Sequence, residues 1–79
     1  MCVAEEICAL IRRHRVTVLG FTPSYGSQLA QWLATQQQTL PVRMCITGGE
    51  ALTGEHLQRI RAAFTPQLFF NAYGPTETV

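Results

Sequence analysis

The stretch Val16-Thr17-Val18-Leu19-Gly20-Phe21-Thr22-Pro23-Ser24 decides the fold class. Val16 to Leu19 has no helical period and is rich in β-branched residues, so it reads as a short buried strand ending at Gly20. Thr22-Pro23-Ser24 follows at once as a helix-start signal, with Thr22 or Ser24 as N-cap and Pro23 near the first turn. Tyr25, Leu29, Trp32 and Leu33 recur at helical spacing up to the polar run Gln36-Gln37-Gln38, and Pro41 closes the segment. A strand running into a helix opens a βαβ unit.

The same alternation extends in both directions. Upstream, Glu5 to His14 reads as a helix whose Val3, Ile7, Leu10, Ile11 and His14 share one face. Its acidic start (Glu5, Glu6) and basic end (Arg12, Arg13, His14) suit the helix dipole. Downstream, Val42 to Thr47 is a second strand, broken by Gly48-Gly49. Thr53 is the expected N-cap of a helix with Glu55 in its first turn and Leu57, Ile60 and Phe64 on one face, ended by Pro66. Leu68-Phe69-Phe70 is a third apolar run of strand length, followed by the turn-rich end Asn71 to Val79. The order is αβαβαβ, an α/β class with three parallel strands and right-handed crossovers over Thr22–Pro41 and Leu52–Pro66. Both crossover helices should cover one face of the sheet, leaving only Glu5–His14 for the other. Since the strands read as buried on both faces, further protein is expected to pack there.

Composition narrows the function classes. The chain has 79 residues, a net charge of +1, 47% hydrophobic residues and 14% charged residues, against the roughly 25% charged usual for soluble domains. This limits it to one domain at most, and excludes disorder, a basic nucleic-acid footprint and attraction to an anionic membrane surface. A chain this short buries only about 60% of its unfolded surface. No run reaches the ~18 apolar residues of a membrane span, and the acidic start does not resemble a signal peptide. Cys2, Cys8 and Cys45 are odd in number and lack C-x-x-C spacing, so Cys8 and Cys45 read as small buried hydrophobes in a reducing, cytoplasmic setting.

Ligands on parallel sheets bind outside the carboxyl ends of the strands. Here those ends are Gly20-Phe21-Thr22, Thr47-Gly48-Gly49-Glu50 and Asn71 to Glu77. The glycines leave room for a ligand, and Gly48-Gly49 amides could approach a phosphate or simply form a turn of positive φ. Glu50 could contact a ligand, cap a turn or cap the Thr53 helix. In the last segment Tyr73 offers a face for base stacking, Asn71 a donor and an acceptor, Thr76 a hydroxyl for a phosphate, and Glu77 a hard carboxylate for Mg²⁺. The same residues could equally form a structural tyrosine corner with a solvated glutamate. His14 and His56 have no partner nucleophile and read as solvated or helix-end residues, Trp32 reads as core, and the six arginines read as a solvated face. There is no lysine.

Asn71-Ala72-Tyr73-Gly74-Pro75-Thr76-Glu77-Thr78 closely resembles the N-x-Y-G-P-T-E-x core motif of adenylation domains in nonribosomal peptide synthetases, members of the adenylate-forming superfamily. Val16 to Ser24 resembles the family's I-T-V-x-x-x-x-P-S segment, and Ile46 to Leu52 its x-x-x-G-G-E-x-L segment. The resemblance covers essentially the whole chain and implies a partial AMP-binding domain over residues 1–79, an interior segment of the large N-terminal subdomain.

The resemblance also implies roles. Tyr73 would stack near adenine, with Asn71 and the Ala72 backbone at its edge and Gly74 beside them. Thr76 would touch the α-phosphate and Glu77 would help hold Mg²⁺. Gly49 and Glu50 would line the nucleotide side of the cleft. Gly20, Ile46, Gly48 and Ala72 would line an apolar substrate side-chain pocket. The implied activity is ATP-dependent activation of an amino acid to an aminoacyl adenylate, then loading onto the phosphopantetheine of a carrier domain. The implied partners are the remainder of the adenylation domain and carrier and condensation domains, with no nucleic acid or membrane. The alternatives are an aryl- or acyl-CoA ligase segment and a small non-catalytic αβ module that binds a nucleotide or a protein. The family's phosphate loop, substrate-amine aspartate, ribose aspartate and catalytic lysine fall outside this stretch. These 79 residues alone are therefore expected to be inactive.

Overall fold

The computed structural model describes residues 2–72. Six elements alternate in the expected order: α1 (Val3–Arg13), β1 (Val18–Phe21), α2 (Pro23–Thr35), β2 (Met44–Thr47), α3 (Gly54–Phe64) and β3 (Leu68–Asn71). The strands form one parallel sheet in the order β1-β2-β3.

Local chemistry fixes the helix starts. Thr22 caps α2, its hydroxyl accepting from the Tyr25 amide at 3.2 Å, and Pro23 follows in the first turn. Thr53 caps α3 in the same way through the His56 amide at 3.1 Å. Each cap satisfies a helix N–H that has no partner within the helix. At its C-terminus α3 ends on Thr65, a left-handed residue at φ 36°.

β1 and β2 start two residues later than the apolar pattern predicts, whereas β3 starts at Leu68 as expected. Thr17 and Val42 lie outside the ladder because their backbones are engaged elsewhere. The Thr17 carbonyl accepts from both Arg43 and Met44, while the Val42 amide donates to the Phe64 carbonyl at 2.9 Å. The connection from α2 to β2 is thereby stitched to the end of α3, a link that Leu40 N–H extends to the Ala63 carbonyl at 2.8 Å.

The core lies on one side of the sheet. Leu19, Cys45 and Phe69 form a register row facing the helices, where they meet Leu29, Leu33, Ile60 and Phe64. The opposite face carries Val18, Gly20, Met44, Ile46, Leu68 and Phe70, and Val18, Leu68 and Phe70 are exposed. Two expectations need correction here. Helix α1 does not cover this second face; it packs beside α2, and its Cys8 and Ile11 join the common core. The strands are also not buried on both faces within the described residues. The buried stripe of α1 is Ala4, Ile7, Cys8 and Ile11, whereas Val3 and Leu10 point outward.

Cys8 and Cys45 are buried and Cys2 is exposed. Burial pushes the Cys45 thiol up to about 11 and raises that of Cys8 as well. Raised folded-state values mean that this contribution to stability is complete below the unfolded thiol's pKa and declines as pH rises through the folded one. In a DTNB assay at pH 8, Cys2 is expected to react fast and the other two thiols only on unfolding. Two or more fast thiols in the folded chain would contradict this core.

Candidate functional site

Parallel pairing brings the carboxyl ends of all three strands to one edge, where Phe21, Thr47 and Asn71 stand in register. The ladder continues one step further through Gly48 N–H to the Phe21 carbonyl (3.3 Å) and Ala72 N–H to the Thr47 carbonyl (2.6 Å). Because side chains alternate between faces, Gly20 and Ile46 lie on the open face, and Thr22, Gly48 and Ala72 continue those columns beyond the edge. These five residues, with Phe21 and Thr47, line an open cavity of about 290 Å³. The four residues expected to line a side-chain pocket, Gly20, Ile46, Gly48 and Ala72, are thus brought together. A Cβ at Gly48 would sit 3.7 Å from that of Ala72, and one at Gly20 would meet only the Ile46 carbonyl oxygen at 3.9 Å. A larger cavity of about 380 Å³ lies between α2 and α3, lined by residues such as Ala30, Ala34 and Ala63, well away from the strand ends.

Asn71 belongs to the helix-facing column. Its Oδ1 accepts a 3.3 Å hydrogen bond from the hydroxyl of Thr47, which is fully buried. Thr47 orients Asn71 at the sheet edge, and a local reading of the motif passed over it. The available signal was a polar residue at an inward-facing position of an otherwise apolar strand. Thr22 and Phe21 also line the cavity; the sequence names them only as part of the strand end Gly20-Phe21-Thr22, with Thr22 as a helix cap.

Gly49 takes φ 85°, and a Cβ there would approach Thr22 Cγ2 to 3.3 Å. Positive φ and close packing together call for glycine at this turn. Glu50 turns back to the start of α2 and does not cap α3, whose N-cap is Thr53. Its Oε1 accepts from the Ser24 amide at 2.5 Å and also from the Ser24 hydroxyl. These two hydrogen bonds hold the Glu50 carboxyl below the usual carboxylate range, with a smaller contribution from the charge of His56. His56 is half-buried rather than solvated, and its Nδ1 has no hydrogen-bond partner among the described residues.

Tyr73, Gly74, Thr76 and Glu77 lie outside the described residues. Among the described residues no cluster of three or more His, Cys, Asp or Glu could hold a metal ion, and no helix is long and apolar enough to cross a membrane.

Comparison with known proteins bears on this edge. The family model described as AMP-binding enzyme matches residues 2–79. Tyrocidine synthase 3 of Brevibacillus parabrevis is 34% identical over 74 residues, covering 94% of this chain and 1% of the relative. The hybrid PKS-NRPS synthetase thnA of Trichoderma harzianum is 35% identical over 79 residues, covering 94% of this chain and 2% of the relative. Among solved structures, a long-chain-fatty-acid-CoA ligase (FadD1) from Archaeoglobus fulgidus superposes on the whole chain with a TM-score of 0.67 at 18% identity, over 18% of its own length. The chain therefore spans a few hundredths of the length of the curated relatives it matches, and the likeness to the ligase concerns the fold.

Proposed function

Since the chain belongs to the AMP-binding enzyme family, we propose that the protein carrying these residues activates an amino acid with ATP. One oxygen of the substrate carboxylate attacks the α-phosphorus, and the bond to the β,γ-pyrophosphate breaks. The products are an aminoacyl adenylate and pyrophosphate. A phosphopantetheine thiol on a carrier domain then attacks the acyl carbon, and AMP leaves with the electron pair of the broken bond. Such chemistry depends on holding two anions together and neutralising charge, more than on a protein nucleophile.

The observation that carries this reading is the meeting of Gly20, Ile46, Gly48 and Ala72 around one cavity at the carboxyl edge, with Asn71 on the other side of that edge. The cavity's walls are small and apolar, which suits an apolar side chain. Asn71 and the Ala72 backbone would face the adenine, Tyr73 would stack on it with Gly74 leaving room, and Gly49 would border the phosphates. Thr76 would donate to an α-phosphate oxygen. Glu77 would hold Mg²⁺, which neutralises phosphate charge when bound. The relatives named tyrocidine synthase and PKS-NRPS synthetase favour the amino-acid branch over a CoA ligase. In that branch the partners are the rest of the adenylation domain and neighbouring carrier and condensation domains.

The test is ATP–pyrophosphate exchange by the product of the complete open reading frame, run with each proteinogenic amino acid. Exchange is expected with one or a few apolar amino acids. Glu77→Ala is expected to lower it by about 100-fold, the scale for removing a group that stabilises transition-state charge. Gly48→Val should raise KM for the amino acid and leave that for ATP in place. Exchange driven by fatty or aryl acids, with thioester formation on coenzyme A, would replace this reading with the ligase one. Residues 1–79 made alone are expected to show no exchange.

A further inference from the structure

The Gly48-Gly49-Glu50 turn contains the only acid on the strand-end edge among the described residues, and that acid is already engaged inside the chain. Glu50 accepts two hydrogen bonds from Ser24, one from the amide and one from the hydroxyl. Ser24 is the second residue of α2, after the Thr22 cap and Pro23. Its amide is one of the N–H groups at a helix start that have no partner within the helix, and the helix dipole favours an anion there. No acidic side chain stands in the first turn of α2 itself. The negative charge suited to that position comes instead from a residue 26 places away.

We infer that Glu50 is a positioning residue: its carboxylate clasps the N-terminus of α2, sets the separation of the two loops that form the cavity rim, and is not a ligand for the nucleotide. The link joins the loop after β2 to the loop after β1. Thr22 and Gly48, each two residues before one end of the link, both line the cavity. The two loops approach closely at Gly49, where a Cβ would come within 3.3 Å of Thr22 Cγ2. With its carboxylate on Ser24, Glu50 fills the anion position of α2 that a phosphate would otherwise take, so a phosphate must be bound elsewhere on the edge.

The experiment uses the full open-reading-frame product, with Glu50→Ala, Glu50→Gln and Ser24→Ala compared with wild type. The first readout is amide hydrogen exchange of peptides spanning residues 20–27 and 47–53, without ligand. Glu50→Ala should accelerate exchange in both by about tenfold, as expected when a local tether is lost. Glu50→Gln retains an acceptor oxygen and should recover part of the protection. Ser24→Ala keeps the amide bond and should fall between them. If Glu50→Ala does not fold, the Gln and Ser24 variants carry the comparison.

The second readout rests on the adenylation reading. With ATP and amino acid, the Ala variant should raise KM for the amino acid several-fold, leave KM for ATP within about twofold, and be partly rescued by Gln. A wild-type protein inactive with every amino acid would sink the adenylation reading and leave the exchange result to decide the clasp. Unchanged exchange in both peptides, or an effect confined to KM for ATP, would overturn the inference and make Glu50 a nucleotide contact.

Discussion

Phe64→Ala is expected to cost about 3–5 kcal/mol, the range for truncating a buried aromatic residue. A folded chain of this length holds about 4–12 kcal/mol in total, so the variant should lose a large fraction of its stability and unfold at a much lower urea concentration. Phe64 is fully buried and is the largest such side chain among the described residues. Its ring lies 5.8 Å from that of Phe21 at an angle of 38°, and its carbonyl anchors Val42 at the start of the second strand connection. Removing the ring leaves a void against the sheet where β1, α2 and α3 converge, with few ways to collapse. Phe64→Leu keeps most of the volume and should lose less than about 1.5 kcal/mol. Urea unfolding followed by far-UV circular dichroism separates the two variants. A loss under about 1 kcal/mol for the alanine variant would mean that this core is not the one that holds the sheet to its helices.

The route from this core to the cavity is short. Phe21 packs on Phe64 and also lines the cavity, so the aromatic pair fixes both the seat of α3 and one wall of the site. A partly destabilising substitution such as Phe64→Leu should therefore disturb substrate affinity before it abolishes folding.

Much of this arrangement could be read from sequence, because it rests on local chemistry. Thr22-Pro23 and Thr53 announce helix starts that a few backbone N–H groups decide. The three apolar runs separated by helices imply a parallel sheet whose carboxyl ends share an edge. Period-two alternation then puts Gly20, Ile46 and Gly48 on one face. What sequence could not reveal depends on pairing across long separations. Val3 and Leu10 are as apolar as Ile7 and Ile11, and only the approach of α2 determines which side of α1 is buried. Val16 and Val42 look like strand residues, yet the Val42 amide is drawn to Phe64, 22 residues on. Glu50 could have capped a turn or the Thr53 helix by local logic; its actual partner is the start of the preceding helix. Thr47 hides within an apolar run, and its role emerges only when β3 brings Asn71 alongside.

Gly26→Ala inverts the usual rule for glycine in a helix. In an exposed helix interior this change stabilises by about 1 kcal/mol, through the lower conformational entropy of the unfolded chain and better helix propensity. Gly26 sits inside α2 and is buried, and a Cβ there would lie 2.4 Å from Phe21 Cε1 and 2.6 Å from its Cδ1. Real contacts do not reach such distances, so the ring must move, and it is already packed on Phe64. Overpacking of this kind costs up to about 3 kcal/mol, so the clash should outweigh the propensity gain and leave a net loss of about 1–2 kcal/mol. Gly54 provides the internal control. It is the first residue of α3, is exposed, and a Cβ would meet nothing within 4 Å. Gly54→Ala should therefore stabilise by about 0.4–1 kcal/mol. The pair differs in sign for one chemical change, so thermal or urea midpoints of the two variants against wild type decide it. A Gly26→Ala variant as stable as Gly54→Ala would show that Phe21 does not rest on α2. The same displacement of Phe21 should also reshape the cavity wall, so Gly26→Ala is expected to raise KM for the activated substrate, whereas Gly54→Ala leaves it unchanged.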